Sequence, residues 1–137
     1  MGKVIVTLKL TNLSDLILKR AKARKARPRQ ADVEALVDTG ATRLYLKPSV
    51  IKKLGLELAA KIISRTANGS VERLEYGDVT LELLGRRGNF QVVEIPENVP
   101  NLLGQVPLEV LDFVVDPKGR KLIGNPEHGG VQMTEEY

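Results

Sequence analysis

The sequence predicts an all-β domain, closed and barrel-like, with one or two short helices. Three observations carry that reading. Seven or eight short apolar runs, several alternating with polar residues, are separated by turn residues. Aromatic residues are only 4% of a chain that is 42% hydrophobic, so its core must rest on Val, Leu and Ile, which favour sheet. The 137 residues suit a single domain and contain no internal repeat.

The elements follow in order. In residues 3–10, Val4, Val6, Leu8 and Leu10 recur at period two, as in a half-buried strand. Residues 11–30 break the pattern and Pro28 punctuates their end, giving either a long excursion or a short helix over Leu16–Lys25. Residues 31–37 return to strand character and run into Asp38-Thr39-Gly40. A short strand at Leu44–Leu46 precedes a short helix that starts at Pro48 and is closed by Gly55. Asn68-Gly69 is the strongest hairpin signal, joining strands near 61–67 and 70–75 through a turn that needs positive φ. A second hairpin, 78–84 with 89–95, turns around Gly85-Arg86-Arg87-Gly88. After Pro96 and Pro100, Leu102-Leu103-Gly104 leads to a short helix over 107–112. Phe113-Val114-Val115 is a buried-type strand turned at Pro117-Lys118-Gly119. The reading divides the chain into a domain over 1–124, with a basic insertion near 14–30, and a C-terminal tail over 125–137 that lies on the surface or frays.

Composition excludes several classes. There is no cysteine, hence no disulfide scaffold, thiol nucleophile or cysteine zinc site. The only histidine, His128, is expected to be a surface loop residue, and no metal or cofactor is expected. Thr7 and Lys9 interrupt the first apolar stretch, and no window reaches the roughly 18 apolar residues of a membrane span, so a cytoplasmic protein without membrane contact is expected. Residues 19–29 hold seven cations and no acid against a formal net charge of +4, which leaves the rest of the chain at −3. That run is a conceivable nucleic-acid footprint. It lacks an aromatic for base stacking, so a solvated face is the preferred reading.

Chemistry concentrates at Ala35-Leu36-Val37-Asp38-Thr39-Gly40-Ala41, where an acid directly follows an apolar strand. Asp38 can hold or release a proton. Thr39 offers a hydroxyl to pin a loop, and Gly40 lets the backbone approach another chain or a substrate. Turn chemistry alone also explains the tripeptide. The surroundings decide between the two. Two apolar residues precede Asp38. A second apolar-apolar-Gly landmark, Asn101-Leu102-Leu103-Gly104, stands before the last helix, and the Asn68-Gly69 hairpin lies between them.

In these landmarks, their order and their spacing, residues 3–123 resemble the retropepsins, the retroviral-type aspartic proteases, and above all their small bacterial single-domain relatives. The resemblance implies the acid-protease fold and an aspartic endopeptidase acting on a peptide or protein substrate. It makes Asp38 catalytic and Thr39 and Gly40 its supporting loop. Ala41, Leu103 and Gly104, with Asn68, Gly69 and Ser70 at a closing flap, would meet the substrate. Only one Asp-Thr-Gly is present, so the partner carboxylate must come from a second copy in a homodimer. The acid that retroviral enzymes carry two residues after the Gly is Thr42 here, and the Arg after their second landmark is Gln105. Both halves of that ion pair are absent together. The rival reading on the same fold is a non-catalytic peptide-binding or assembly module.

Overall fold

The computed structural model describes residues 3–116, 118–134 and 136. The described chain is mostly β. Strands β1 (Ile5–Asn12), β2 (Gln30–Val37), β3 (Leu44–Leu46), β4 (Glu57–Thr66), β5 (Gly69–Leu83), β6 (Arg86–Glu94) and β7 (Leu102–Leu103) form one mixed sheet in the order β1-β2-β7-β3-β6-β5-β4. β1 also pairs antiparallel with β5, which curls the sheet into a ring. The expected closed barrel is corrected accordingly. β4 hangs outside the ring on β5 alone, and β8 (Phe113–Asp116) with β9 (Lys121–Gly124) forms a separate two-stranded sheet. Pro117, in the turn expected between those two, lies outside the described residues.

Alternation decides which side chains enter the ring. On β1, Leu8 and Leu10 are buried while Thr7 and Lys9 point to solvent. Leu44, Leu46, Val79, Leu81, Val92 and Leu103 arrive from the other strands. Each buried Leu contributes about 2 kcal/mol through the apolar area it withdraws from water. Leu54 from α2 (Pro48–Leu54), and Leu108 and Leu111 from α3 (Gln105–Leu111), close the ends of this core.

Among the described residues there are three α-helices, one more than expected. The additional one is α1 (Leu13–Arg20), which starts earlier than the sequence pattern implied because Asn12 caps it, accepting from the Asp15 amide at 3.0 Å. It stops before Lys22, whose φ of 59° breaks the helix inside the cationic run. Two further boundaries move. β5 runs unbroken through Gly77-Asp78, absorbing the step as a bulge between Tyr76 and Val79. The second hairpin turns at Leu84-Gly85, both with positive φ, so Arg86 opens β6 instead of lying in a four-residue loop.

The segment after Gly124 is tied back. Asp112 Oδ2 lies 2.6 Å from His128 Nδ1 and accepts from the Met133 amide at 3.1 Å, and Asn125 Nδ2 donates to Oδ1 at 3.3 Å. His128 is therefore a largely covered partner of the α3 C-cap, where a surface loop residue was expected. These contacts hold the Asp112 carboxyl below its ordinary range, His128 first among them. Arg86 reinforces the corner by stacking 4.6 Å from the Phe113 ring centroid and donating to the Leu111 and Asp112 carbonyls.

Candidate active site

The apolar run of β2 delivers Asp38 to the edge of the ring. Its backbone is held from both sides. The Asp38 amide donates to the Leu103 carbonyl at 3.0 Å, and its carbonyl accepts from the Ala41 amide at 3.1 Å. The side chain folds onto its own loop, Oδ1 accepting from the Gly40 amide at 2.9 Å. A Cβ at Gly40 would lie 3.2 Å from that same oxygen, so glycine leaves the carboxylate room. Asp38 is half-buried, while Thr39 and Gly40 are exposed.

The second landmark crosses this loop. β7 lies between β2, which it pairs in parallel (Leu36 with Leu102, Val37 with Leu103), and β3, which it pairs antiparallel (Leu44 with Leu103). Residues 38–43 wrap around its end. The Gly104 amide donates to the Arg43 carbonyl at 2.9 Å, the Gln105 amide to Ala41 at 2.7 Å and the Val106 amide to Thr42 at 2.9 Å. Gly104 is required by crowding alone. Its φ of −90° suits any residue, but a Cβ there would sit 2.7 Å from the Ala41 carbonyl oxygen and closer still to that of Arg43. Backbone hydrogen bonds from Gln105 to Ala41 and from Val106 to Thr42 thus tie together the two segments in which retroviral relatives place an ion pair. Asn101 anchors the crossing from behind, donating to the Glu34 carbonyl at 3.0 Å and accepting from the Lys47 amide at 2.9 Å.

The β4–β5 hairpin covers the loop and encloses a cleft of about 510 Å³. Asp38, Gly40, Ala41 and Thr42 form its floor, with Tyr45 and Leu102 beside them. Ser64, Arg65, Thr66 and Ala67, near the hairpin tip, form the opposite wall together with Arg73. The tip is a two-residue loop, Ala67-Asn68, between the paired Thr66 and Gly69. Gly69 has φ of 108° while Asn68 keeps negative φ, so the turn is not the Asn68-Gly69 type I′ pair the sequence suggested. The Thr66 hydroxyl pins it, donating to the Gly69 carbonyl at 2.7 Å and accepting from the Asn68 amide at 3.2 Å. One ion pair links floor and hairpin: Arg43 Nη2 lies 2.5 Å from Glu75 Oε2 on β5.

Of the residues singled out from the sequence, Asp38, Gly40 and Ala41 meet at this cleft. Leu103 does not line it. It is fully buried in the ring, and alternation gives the cleft Leu102 instead. Gly104 is buried beneath the loop, Thr39 projects outward, and Asn68, Gly69 and Ser70 stand at the exposed tip, off the lining. Sequence reasoning passed over Tyr45, Arg65 and Arg73. The two arginines carried a weak signal, being the cations that flank the hairpin turn on either strand.

The basic segment stands away from the cleft. Arg29 and Arg24 turn back onto the buried Asp15, at 2.8 and 3.5 Å, while Arg20, Lys22, Lys25 and Arg27 are exposed. Among the described residues, no helix is long and apolar enough to cross a membrane.

This fold is consistent with the retropepsin-like architecture. A sequence profile of the family described as "Aspartyl protease" matches residues 25–106, more than half of the chain. The match contains the Asp38 loop, the covering hairpin and the Leu102-Leu103-Gly104 crossing. The chain belongs to this family, the retropepsin-like aspartyl proteases. No curated protein matches it.

Proposed function

We propose that the chain is an aspartic endopeptidase that works as a homodimer, each copy contributing Asp38 to one catalytic pair. The observation that carries this reading is the junction of Asp38, held at the end of β2, with a peptide-sized cleft beneath a hairpin. Two carboxylates about 3 Å apart cannot both ionise, so the pair shares a single proton. The ionised member takes a proton from a water lying between them, and that water attacks the scissile carbonyl. The protonated member gives its proton to the carbonyl oxygen, forming a tetrahedral diol. As the diol collapses, the proton taken from water passes to the departing amine nitrogen, the C–N bond breaks, and one diol proton returns to the pair. The pair titrates as one system.

The chain's other residues have supporting roles in this account. Gly40 orients the Asp38 carboxylate through its amide. Thr39, exposed on the outward side of the loop, would meet its counterpart across the two-fold axis. The hairpin bearing Asn68, Gly69 and Ser70 would close over the bound peptide and exclude water, with Leu103 and Gly104 fixing the floor from below. The protease domain would comprise residues 1–124, with 125–137 as its tail. Asp38→Asn tests the reading. The change is nearly isosteric and should preserve the melting temperature while abolishing peptide cleavage. A folded Asn variant that cleaves as the parent does would remove Asp38 from the mechanism. A folded parent that binds peptides and cleaves none would favour the binding-module reading.

A further inference from the structure

Three charged residues border the cleft: Asp38 on the floor, Arg73 on the inner face of the hairpin, where it pairs with Ile62, and Arg65 at the rim, where pairing with Ser70 puts its side chain on the hairpin's outer face. The hairpin side is therefore cationic. Its two guanidiniums are unlike the other cations near the site. Arg43 is committed to Glu75. Among the described residues, neither Arg65 nor Arg73 has an ion pair or a side-chain hydrogen bond. Glu72 and Glu94 border a neighbouring depression that Arg73 also reaches, yet neither is within ion-pair distance of it. Arg73 is half-buried, and Arg65 is exposed at the mouth.

From this we infer that the cleft selects peptides carrying an aspartate or glutamate close to the scissile bond, with Arg73 as the residue that reads the carboxylate and Arg65 adding positive charge at the rim. The inference rests on the endopeptidase reading above. A guanidinium presents its donors in a planar fork that matches a carboxylate, so its preference is geometric as well as electrostatic. Closure of the hairpin over a peptide would withdraw Arg73 from water. A half-buried guanidinium covered by a neutral substrate would lose hydration without gaining a partner, which penalises the wrong peptide as well as favouring the right one. A homodimer would carry Arg73 twice, so acidic residues on either side of the scissile bond would be read.

The test uses matched peptides that differ only in glutamate or glutamine within three residues of the cleaved bond. It measures kcat/KM with the parent protein and, by fluorescence anisotropy, binding to the Asp38→Asn protein. The glutamate peptides should be favoured about tenfold in both measurements, equivalent to about 1.4 kcal/mol. That preference should fade below about pH 4, where the peptide carboxylate is protonated. Arg73→Gln should remove most of it, Arg73→Lys should restore part, and R65E/R73E should shift it towards lysine peptides. Equal handling of glutamate and glutamine peptides by the parent would overturn the inference while leaving the protease reading intact. Selective binding of glutamate peptides with no cleavage would uphold the inference and overturn the endopeptidase reading.

Discussion

Replacing Asp15 by asparagine should cost stability in a way that depends on pH. Asp15 lies buried in the first turn of α1. Its carboxylate accepts from Arg29 Nε at 2.8 Å, from Arg29 Nη2 at 2.9 Å and from the Arg29 amide at 3.0 Å. The Arg29 side chain is the main reason that the Asp15 pKa falls from 3.8 to about 2. Burial opposes the fall, and the Arg29 amide and the nearby Arg24 assist it. A lowered folded-state pKa means the contribution is complete above the unfolded value and is lost as pH falls through the folded one. At 1.36 kcal/mol per unit, the tie contributes about 2 kcal/mol at pH 7 and roughly half of that at pH 3. Urea unfolding of the parent and Asp15→Asn from pH 7 to pH 3 reads this directly. The parent should be the more stable at pH 7, and the gap should narrow towards pH 3. A gap that stays constant over that range, or is absent at pH 7, would refute the reasoning. The tie matters for function because Arg29 leads straight into β2, whose far end carries Asp38. Acid would slacken that anchor in the range where carboxylate pairs titrate.

Two further substitutions probe the loop. Gly104→Ala should destabilise the fold by about 2 to 3 kcal/mol, because its methyl group has to displace the Ala41 and Arg43 backbone. A thermal melt within a degree or two of the parent would show that the crossing is slack. Ala41→Ser offers a hydroxyl to the catalytic pair. A hydrogen bond to the ionised form lowers the affinity for the shared proton, so the high-pH limb of kcat/KM should move to lower pH. An unchanged or upward-shifted limb would mean that position 41 does not influence the pair.

How much was legible follows from where each signal lies along the chain. Asp38-Thr39-Gly40 and Leu102-Leu103-Gly104 could be read because each is a short, contiguous statement about one strand end, and the β2–β7 pairing brings them together. The hairpin was readable from Asn68-Gly69, but its turn was displaced by one residue, since the Thr66 hydroxyl rather than a second positive-φ residue fixes the loop. α1 was misplaced because the eye follows the cations of 19–29, whereas the helix is set by Asn12 and Asp15 before them. The break at Gly77-Asp78 looked like the end of a strand because a bulge and a turn use the same residues. Arg65 and Arg73 were the hardest to find. Arg73 matters because it shares a cleft with Asp38, and Arg65 because it stands at the rim of that cleft, relations between β4, β5 and the loop after β2 that no local pattern encodes. The same is true of His128, which meets Asp112 only after the chain turns back through β9.

The central claim is that one active site is built from two copies of Asp38, and subunit mixing tests it most directly. Parent and Asp38→Asn chains are unfolded together, refolded at fixed total concentration in varied ratio, and assayed for peptide cleavage. If each site needs an aspartate from both copies, activity follows the square of the parent fraction, so an equal mixture retains about one quarter of the all-parent activity. Activity proportional to the parent fraction, about one half in the equal mixture, would show that a single chain carries a complete site and would contradict the account.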